Sequence, residues 1–446
     1  MKKFAIVGAG QLLSLLGSGM SGFALGIWAY RTTGSISQFA LVLFFAAVPG
    51  VLLLPVAGLL ADRWDRRWTM ILSDAGAAVG TAALALLFFL DRVEMRWIYL
   101  LLTFCSSMAT FQRPAYSAAV TQLVPKEHFG RANGQVRAIQ AMAQILAPLL
   151  AGALIDPIGI KGVLVVDLLS FGFGIGTLLA VRFSPVPDGA ESRITASWAE
   201  RWRELTAGWT YLRERGGLLA LMIVLAGLNF SFGLANALVQ PLVLSFASPA
   251  GLGTAFTIGG LGLLLGSLVM GTWGGPKRRV LGIFGFVPLA ALGILLVGVR
   301  PSLAWVTSMM ALVFFCLPFI EGCTTAIVQS KVASNVQGRV FAITHMIAGS
   351  MAPISYLLAG PLADQVFVPL MKPGGALADS LGPILGVGQG PGIALLMAAL
   401  GVALLLTSVV AFLLPRVRHV EAELPDMVAD APVAAVVVAQ PGVSSS

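Results

Sequence analysis

The sequence predicts an all-α integral membrane protein, with twelve transmembrane helices in two pseudo-symmetric six-helix halves. Three observations predict it: an apolar composition, twelve long apolar runs and an internal repeat. Of the 446 residues, 57% are hydrophobic and only 11% are charged, whereas soluble domains carry about 25% charged residues. So few charged groups cannot cover the surfaces of the soluble domains that this length would otherwise form. We therefore expect lipid to surround most of the protein.

Twelve stretches are apolar over the roughly 20 residues that a helix needs to cross a bilayer. They are residues 4–30, 36–61, 69–90, 97–123, 133–155, 162–182, 217–246, 251–273, 280–299, 302–329, 338–363 and 391–414. The first follows two lysines and begins like a signal peptide. It is too long for a signal core and no cleavage site follows it, so we interpret it as the first span.

These runs divide the chain into four parts. Residues 1–183 form an N-terminal six-helix half, and residues 217–414 form a C-terminal six-helix half. Residues 184–216 form a polar cytoplasmic linker between them. Residues 415–446 form a polar, low-complexity tail, which we expect to be disordered and cytoplasmic.

The linker contains an amphipathic pattern. Apolar side chains recur at steps of four, three, four and three residues, at Trp198, Trp202, Leu205, Trp209 and Leu212. That period places them on one face of a helix. Because arginines surround this face, we expect the helix to lie along the membrane surface. A site for a regulatory partner is the alternative.

The positive charges indicate the topology and exclude one class of partner. Of 28 lysines and arginines, 21 lie at the termini and in the even-numbered loops, six lie in the odd-numbered loops, and Arg113 lies inside a span. Positive residues favour the cytoplasmic side, so we expect both termini in the cytoplasm and the chain in the plasma or inner membrane. The net charge of +8 is thus distributed as in a membrane protein, and we expect no nucleic-acid partner.

The two halves repeat each other at a separation of 208 residues. The sequence Leu-Leu-Ala-Gly occurs at 149–152 and again at 357–360. Other matches at this offset are Gly130-Arg131 with Gly338-Arg339, Phe111 with Phe319, and Asp156 with Asp364. Two six-span halves in parallel repeat are typical of secondary transporters, whose sites lie between the halves near the bilayer midplane.

The loop between the second and third spans reads Gly-Leu-Leu-Ala-Asp-Arg-Trp-Asp-Arg-Arg, at 58–67. Its glycine permits close helix packing, its first aspartate can accept hydrogen bonds at a helix end, and its arginines can pair with that acid or with a neighbouring helix. We expect a latch that forms in one conformation and breaks in another; charge that only sets topology is the alternative. The candidate latch residues are Gly58, Asp62, Arg63, Arg66, Arg67 and Asp74.

This loop resembles the signature of the major facilitator superfamily. The equivalent loop of the second half, 271–279, keeps the leading glycine and the basic end but has Gly275 where Asp62 would stand. We therefore expect any second latch to be weaker or to have another partner.

The fifth span resembles the pattern G-x8-G-x3-G-P-x2-G-G of proton-driven drug exporters in that superfamily. Alanine replaces glycine at three places, so close packing and a proline bend are retained. The residues of this antiporter-type bend are Gly134, Ala143, Ala147, Pro148, Ala151 and Gly152. A generic packing helix is the alternative.

Two further stretches, at 10–18 and 329–342, are similar to the macrolide-efflux and siderophore-exporter type. The resemblance implies export of small hydrophobic or amphipathic molecules by alternating access, driven by proton antiport. Its expected partners are the small-molecule substrate, protons and the lipid bilayer, and a monomer is the expected state. A solute importer, a lipid flippase on the same fold, and a non-transporting sensor or channel stay open.

Two charged residues, Arg113 and Glu321, lie inside predicted spans and are 208 residues apart. A charge at the bilayer centre costs at least about 2.5–3.5 kcal/mol, so each should face a cavity or a partner. The resemblance places the fourth and tenth helices at the central cavity. We predict that Glu321 carries the coupling proton or contacts substrate, with Arg113 as its charge complement. A fixed ion pair between the halves, or a shallower depth, is the alternative.

Other polar residues inside the spans are weaker candidates for the substrate or proton pathway. Those in the seventh span share one helix face, which could bind substrate or only hydrogen-bond between helices. The candidates are Gln11, Gln112, Asn229, Asn236 and Gln240. Asp74 and Asp167 each open a span, where we expect hydration, although Asp74 could join the latch. His345 is expected to be a packing residue, and a proton relay is the alternative.

Enzymatic chemistry finds no support in the sequence. It contains no GxxxxGK[ST] phosphate loop and no HExxH helix. The three cysteines all fall inside apolar runs, without the spacing of a metal site or a disulfide framework. We therefore expect no enzyme activity, no cofactor and no metal.

Overall fold

The computed structural model describes residues 2–54, 56–57, 60, 64–181, 183, 209–332 and 334–423. Within these residues the chain forms helices and short connections, and no β-strand. Three of the candidate latch residues, Gly58, Asp62 and Arg63, lie outside the described residues. So does most of the predicted amphipathic linker helix, of which residues 209–214 are described and helical.

Twelve long helices, α1 to α12, follow one another along the chain. The helix Phe129–Ala180 contains two of them, α5 (129–158) and α6 (160–180). The others are α1 Lys2–Thr33, α2 Ile36–Leu52, α3 Arg66–Phe89, α4 Met95–Leu123, α7 Gly216–Leu244, α8 Pro249–Trp273, α9 Arg279–Val297, α10 Leu303–Lys331, α11 Ser334–Pro361 and α12 Gln389–Leu413. Each matches one predicted span, which confirms the predicted all-α architecture.

A single glycine separates α5 from α6. Gly159 has φ 66° and ψ 177°, the one non-helical conformation within Phe129–Ala180. Positive φ is strained for residues with a Cβ and free for glycine. The chain therefore reverses here without a loop, where the sequence predicted a connection at 156–161.

Local capping explains several of the other helix ends. Ser35 accepts a hydrogen bond from the Gln38 amide at the start of α2, and Asp65 accepts one from the Trp68 amide at the start of α3. Such side-chain acceptors satisfy amides that lack a partner in the first turn. Gly274 ends α8 in the left-handed conformation, with φ 74°.

The outward surface of the bundle carries many exposed apolar side chains, as predicted for a surface that faces lipid. Leucines on several helices are more than half exposed, among them Leu72, Leu169, Leu268 and Leu406. Inside the N-terminal half, α1 packs closely along α6. A Cβ on Gly10 would lie 2.1 Å from Thr177 Oγ1, and a Cβ on Gly17 would lie 2.1 Å from Ser170 Oγ. Only glycine permits this approach.

We name the two ends of the bundle by their loops. The terminal face contains Lys2 and Leu413, and the opposite face contains the turn between α1 and α2. The described part of the tail lies at the terminal face and differs from the prediction of disorder. Residues Pro415–Arg418 and Val420–Glu423 are helical, and Val417 and Val420 are fully buried. These apolar side chains fix residues 415–423 against the C-terminal half.

Candidate functional site

A cavity of about 300 Å³ lies in the wall of the C-terminal half, between α7, α10 and α11. Its lining is mainly aliphatic and aromatic, with Phe232 and Phe341 among the aromatic residues. Each helix contributes polar side chains to it, and they are Asn229 of α7, Glu321, Thr324 and Thr325 of α10, and Thr344 and His345 of α11. A largely apolar cavity with a few polar groups is the usual form of a small-molecule site.

Glu321 reaches this cavity from the middle of α10, and its residue is exposed. Arg113, its predicted complement, is exposed on α4 in the other half. Both residues are described, and no ion pair joins them. The fixed ion pair between the halves is therefore absent from this conformation. The basic side chain beside Glu321 is instead His345, for which packing was the favoured expectation and a proton relay the alternative.

The predicted polar face of the seventh span does not form one site. Asn229 lines the cavity with Glu321 and donates to the Leu225 carbonyl at 2.9 Å. Asn236 lines a separate, smaller pocket of about 80 Å³, and Gln240 is buried and lines neither. Of the three predicted residues of this helix, only Asn229 lines the cavity. The neighbours of α7 change along its length, so Asn236 lines the smaller pocket and Gln240 is buried elsewhere.

Gln11 and Gln112 meet, but in the N-terminal half and around Asp74. Gln112 Nε2 donates to Asp74 Oδ1 at 2.5 Å and to Gln11 Oε1 at 2.9 Å, and Gln11 Nε2 lies 3.5 Å from Asp74 Oδ2. Asp74 is only 1% exposed. The prediction that it is hydrated is therefore wrong, because α1 and α4 cover it with amide groups. Its membership of the latch stays a prediction, because Asp62 and Arg63 lie outside the described residues.

Asp167 is also buried, contrary to the expectation of hydration. It is 1% exposed, and its Oδ1 accepts from Ser18 at 3.3 Å and from Ser170 at 3.5 Å. The serines of α1 were not among the residues predicted for the site. Their spacing was the available signal, because Gln11, Ser14, Ser18 and Ser21 recur at steps of three, four and three and so share one helix face.

The two described arginines of the latch loop bind helix ends within their own half. Arg66 Nη1 donates to the Ala118 carbonyl at 2.8 Å and to Thr121 Oγ1 at 2.7 Å, near the end of α4. Arg67 donates to the carbonyls of Leu178 and Leu179 at the end of α6, both at 2.9 Å. Cations are favourable at helix C-termini, so these arginines tie α3 to α4 and α6.

The loop of the second half that is equivalent to the latch loop, residues 271–279, contacts an acidic residue from a distant part of the chain. Glu421, in the tail, accepts from the backbone amides of Arg279 at 2.9 Å and Val280 at 3.2 Å. It therefore caps the start of α9, and Lys331 donates to its carbonyl oxygen. This contact agrees with the expectation that any second latch would have another partner. The local sequence could not reveal it, because 142 residues separate Arg279 from Glu421.

The small residues of the fifth span lie where the two halves meet. A Cβ on Gly152 would lie 2.3 Å from the Pro249 carbonyl oxygen of α8, and a Cβ on Gly253 would lie 2.5 Å from the Pro148 carbonyl oxygen. Ala143, Ala147 and Ala151 of α5 are buried, whereas nothing approaches Gly134 within 4 Å. The motif thus allows α5 and α8 to cross in backbone contact, although the helix breaks at Gly159 and not at Pro148.

Hydrogen bonds close the opposite face between the halves. Asp364, in the π-helical turn Leu362–Phe367 that follows α11, accepts from Ser35 Oγ at 2.9 Å and from the amides of Ile36 and Ser37 at 3.2 and 2.8 Å. An acid of one half thus caps a helix of the other. Within the described residues, the hydrogen bonds between the halves lie from the middle of the bundle to this face.

We expect Asp364→Ala to weaken closure of the opposite face. Loss of an N-cap costs about 1 kcal/mol, which changes the ratio of closed to open protein roughly fivefold. Spin labels attached at positions 92 and 300, in place of Arg92 and Arg300, would report the distance between the halves by pulsed electron paramagnetic resonance. The matched control is Asp379→Ala, an exposed acid of the same loop. Equal distance distributions for both variants would show that Asp364 does not hold this face closed.

Comparisons with known proteins agree with this architecture. The family model described as Major Facilitator Superfamily matches residues 7–356. Macrolide efflux protein A of Streptococcus pyogenes is 26% identical over 371 residues, covering 82% of this chain and 90% of the relative. Multidrug efflux pump Tap of Mycobacterium bovis is 24% identical over 370 residues, covering 79% and 85%.

A solved structure shows the same fold. A bacterial homolog of the human lysosomal transporter Spinster, in an inward-facing and unoccupied conformation, aligns with a TM-score of 0.72 at 15% identity. The alignment covers 95% of this chain and 98% of that one. The family model, which spans most of the chain, and the twelve-helix fold lead to one conclusion: the chain is a transporter that belongs to the Major Facilitator Superfamily.

Proposed function

We propose that this transporter exports small amphipathic molecules by alternating access, in exchange for protons. The observation that carries the proposal is the apolar cavity with Glu321, Asn229 and His345 in its wall. Its aromatic and aliphatic lining suits the apolar body of a substrate, and its few polar groups can orient a polar or cationic end. The names of the similar proteins, macrolide and multidrug efflux, support this class of cargo.

The geometry supports loading from the terminal face. The cavity residues of α7, 222–232, lie nearer its start at that face, and those of α10, 317–328, lie in its last half. The opposite face is closed by Asp364 and by the crossing of α5 and α8. If the lysine and arginine distribution puts the terminal face in the cytoplasm, this conformation receives substrate from inside the cell. Export then requires the opposite face to open.

Within this proposal Glu321 is the substrate anchor. It was predicted either to carry the proton or to contact substrate, and its place among the cavity walls supports contact. A carboxylate there attracts cationic amphiphiles, since charge-assisted hydrogen bonds are stronger than neutral ones. The proton then needs a separate site.

The test is transport by the purified protein in liposomes. We expect an imposed pH gradient to drive accumulation of radiolabelled erythromycin or of ethidium, and a protonophore to abolish it. Liposomes without protein give the background. Accumulation that persists with the protonophore would refute proton coupling. Absence of both accumulation and exchange for a broad panel of drugs would refute drug export, and a lipid flippase or a metabolite transporter would replace it.

A further inference from the structure

Two carboxylates in the N-terminal half take no part in the substrate cavity. Asp74 of α3 and Asp167 of α6 are each 1% exposed, and both lie inside membrane-spanning helices. An unpaired ionised carboxylate at such depth is costly. The described structure must therefore provide each of them with a counter-ion or a proton.

No counter-ion is present in the described part of the chain. None of the cations on the surrounding helices forms an ion pair with either carboxylate. The charged and titratable groups of these helices are Lys2, Lys3, Tyr30 and Arg31 of α1, Arg66 and Arg67 of α3, Arg96, Tyr99, Cys105, Arg113 and Tyr116 of α4, Arg131, Arg137 and Asp156 of α5, and Lys161 of α6. Arg31 and Lys161 pair with Asp156 and Asp91, and Arg113 is exposed.

The partners of both carboxylates are neutral amides and hydroxyls. Gln112 Nε2 donates to Asp74 Oδ1 at 2.5 Å, Gln11 Nε2 lies 3.5 Å from Oδ2, and Ser14 also faces this carboxyl. Asp167 faces Ser18 and Ser170. Ser21 also faces Asp167, and its buried hydroxyl oxygen has no hydrogen-bond partner among the described residues.

One face of α1 joins the two sites. Gln11 and Ser14 lie beside Asp74, and Ser18 and Ser21 lie beside Asp167. The two pairs are seven residues apart, about 10 Å along a helix. Asp74 lies eight residues after the start of α3 at the terminal face, and Asp167 lies seven residues after the start of α6 at the opposite face. The carboxyls therefore stand at different depths, with serine hydroxyls between them.

We propose that Asp74 and Asp167, linked by the polar face of α1, bind the coupling protons in the N-terminal half, apart from the substrate cavity in the C-terminal half. Each carboxylate takes up one proton to become a neutral acid and gives it up when its surroundings open to water. The conformation described here is the protonated one. This inference rests on the proposed proton-driven export and names the residues that perform the coupling.

The first test does not depend on any substrate. We expect infrared spectra of the purified protein at neutral pH to show the carbonyl band of buried protonated carboxyls. Asp74→Asn and Asp167→Asn should each remove part of it, while Asp91→Asn, which changes an exposed acid at 82% side-chain exposure, should not. A spectrum that the two buried variants leave unchanged would overturn the proposal.

The second test separates coupling from transport. In liposomes, we expect Asp74→Asn and Asp167→Asn to retain exchange of labelled for unlabelled erythromycin and to lose accumulation driven by a pH gradient. Gradient-driven accumulation at the wild-type level would overturn the proposal, as would loss of exchange in a folded variant or accumulation driven by sodium at equal pH. Wild-type protein without exchange would instead refute the proposed export function, and the infrared result would still decide the role of the two carboxyls.

Discussion

Glu321→Gln should raise the KM for ethidium, a permanent cation, far more than the KM for chloramphenicol, which is neutral. Glutamine keeps the size of glutamate and one acceptor oxygen but not its charge. A hydrogen bond to a charged group contributes about 1.5–3 kcal/mol, so we expect a rise in KM of roughly 10- to 150-fold for the cation. The measurement is initial-rate transport by purified protein in liposomes, with both probes.

The matched control is Glu94→Gln, which changes an exposed glutamate paired with Arg96 at the opposite face. It should transport both probes as the wild type does. An equal loss for ethidium and chloramphenicol, with exchange retained, would contradict the substrate role of Glu321. It would assign the coupling proton to this residue and not to the N-terminal half.

The fold could be predicted from the sequence because one physical requirement dominates it. A bilayer crossing needs a long apolar helix, so each predicted span matches a helix of the structure. Departures occur where another effect acts. The positive φ of Gly159 reduces the connection between α5 and α6 to one residue. Burial of Val417 and Val420 orders residues 415–423, which the composition predicted to be disordered.

The site was harder to predict, because hydropathy does not say which face of a helix a polar residue occupies. Asp74 and Asp167 lie near the starts of their predicted spans, so the sequence indicated hydration. In the structure the polar face of α1 contacts both of them. Glu421 and Asp364 act on helices far away in sequence, so only the folded chain reveals them. The repeat identified Asp364 only as the equivalent of Asp156, and its partner at the start of α2 required the structure.

Gly152→Val should strongly slow transport by disfavouring closure of the opposite face. A Cβ at this position would lie 2.3 Å from the Pro249 carbonyl oxygen, and backbone cannot yield as a side chain can. Overpacking costs about 1–3 kcal/mol, which falls only on the closed state and favours the open state by roughly five- to 150-fold. Pulsed electron paramagnetic resonance, with spin labels at the positions of Arg92 and Arg300, should show a longer distance between the labels than in the wild-type protein.

Gly172→Val is the control, because nothing lies within 4 Å of a Cβ at that position on α6. Both variants carry the same change in helix propensity, so a difference between them isolates the crossing of α5 and α8. If Gly152→Val protein is folded and transports erythromycin like the wild type, that crossing does not have to close in the cycle. If it remains open but still exchanges substrate slowly, the residual rate measures how often the strained closed state is reached.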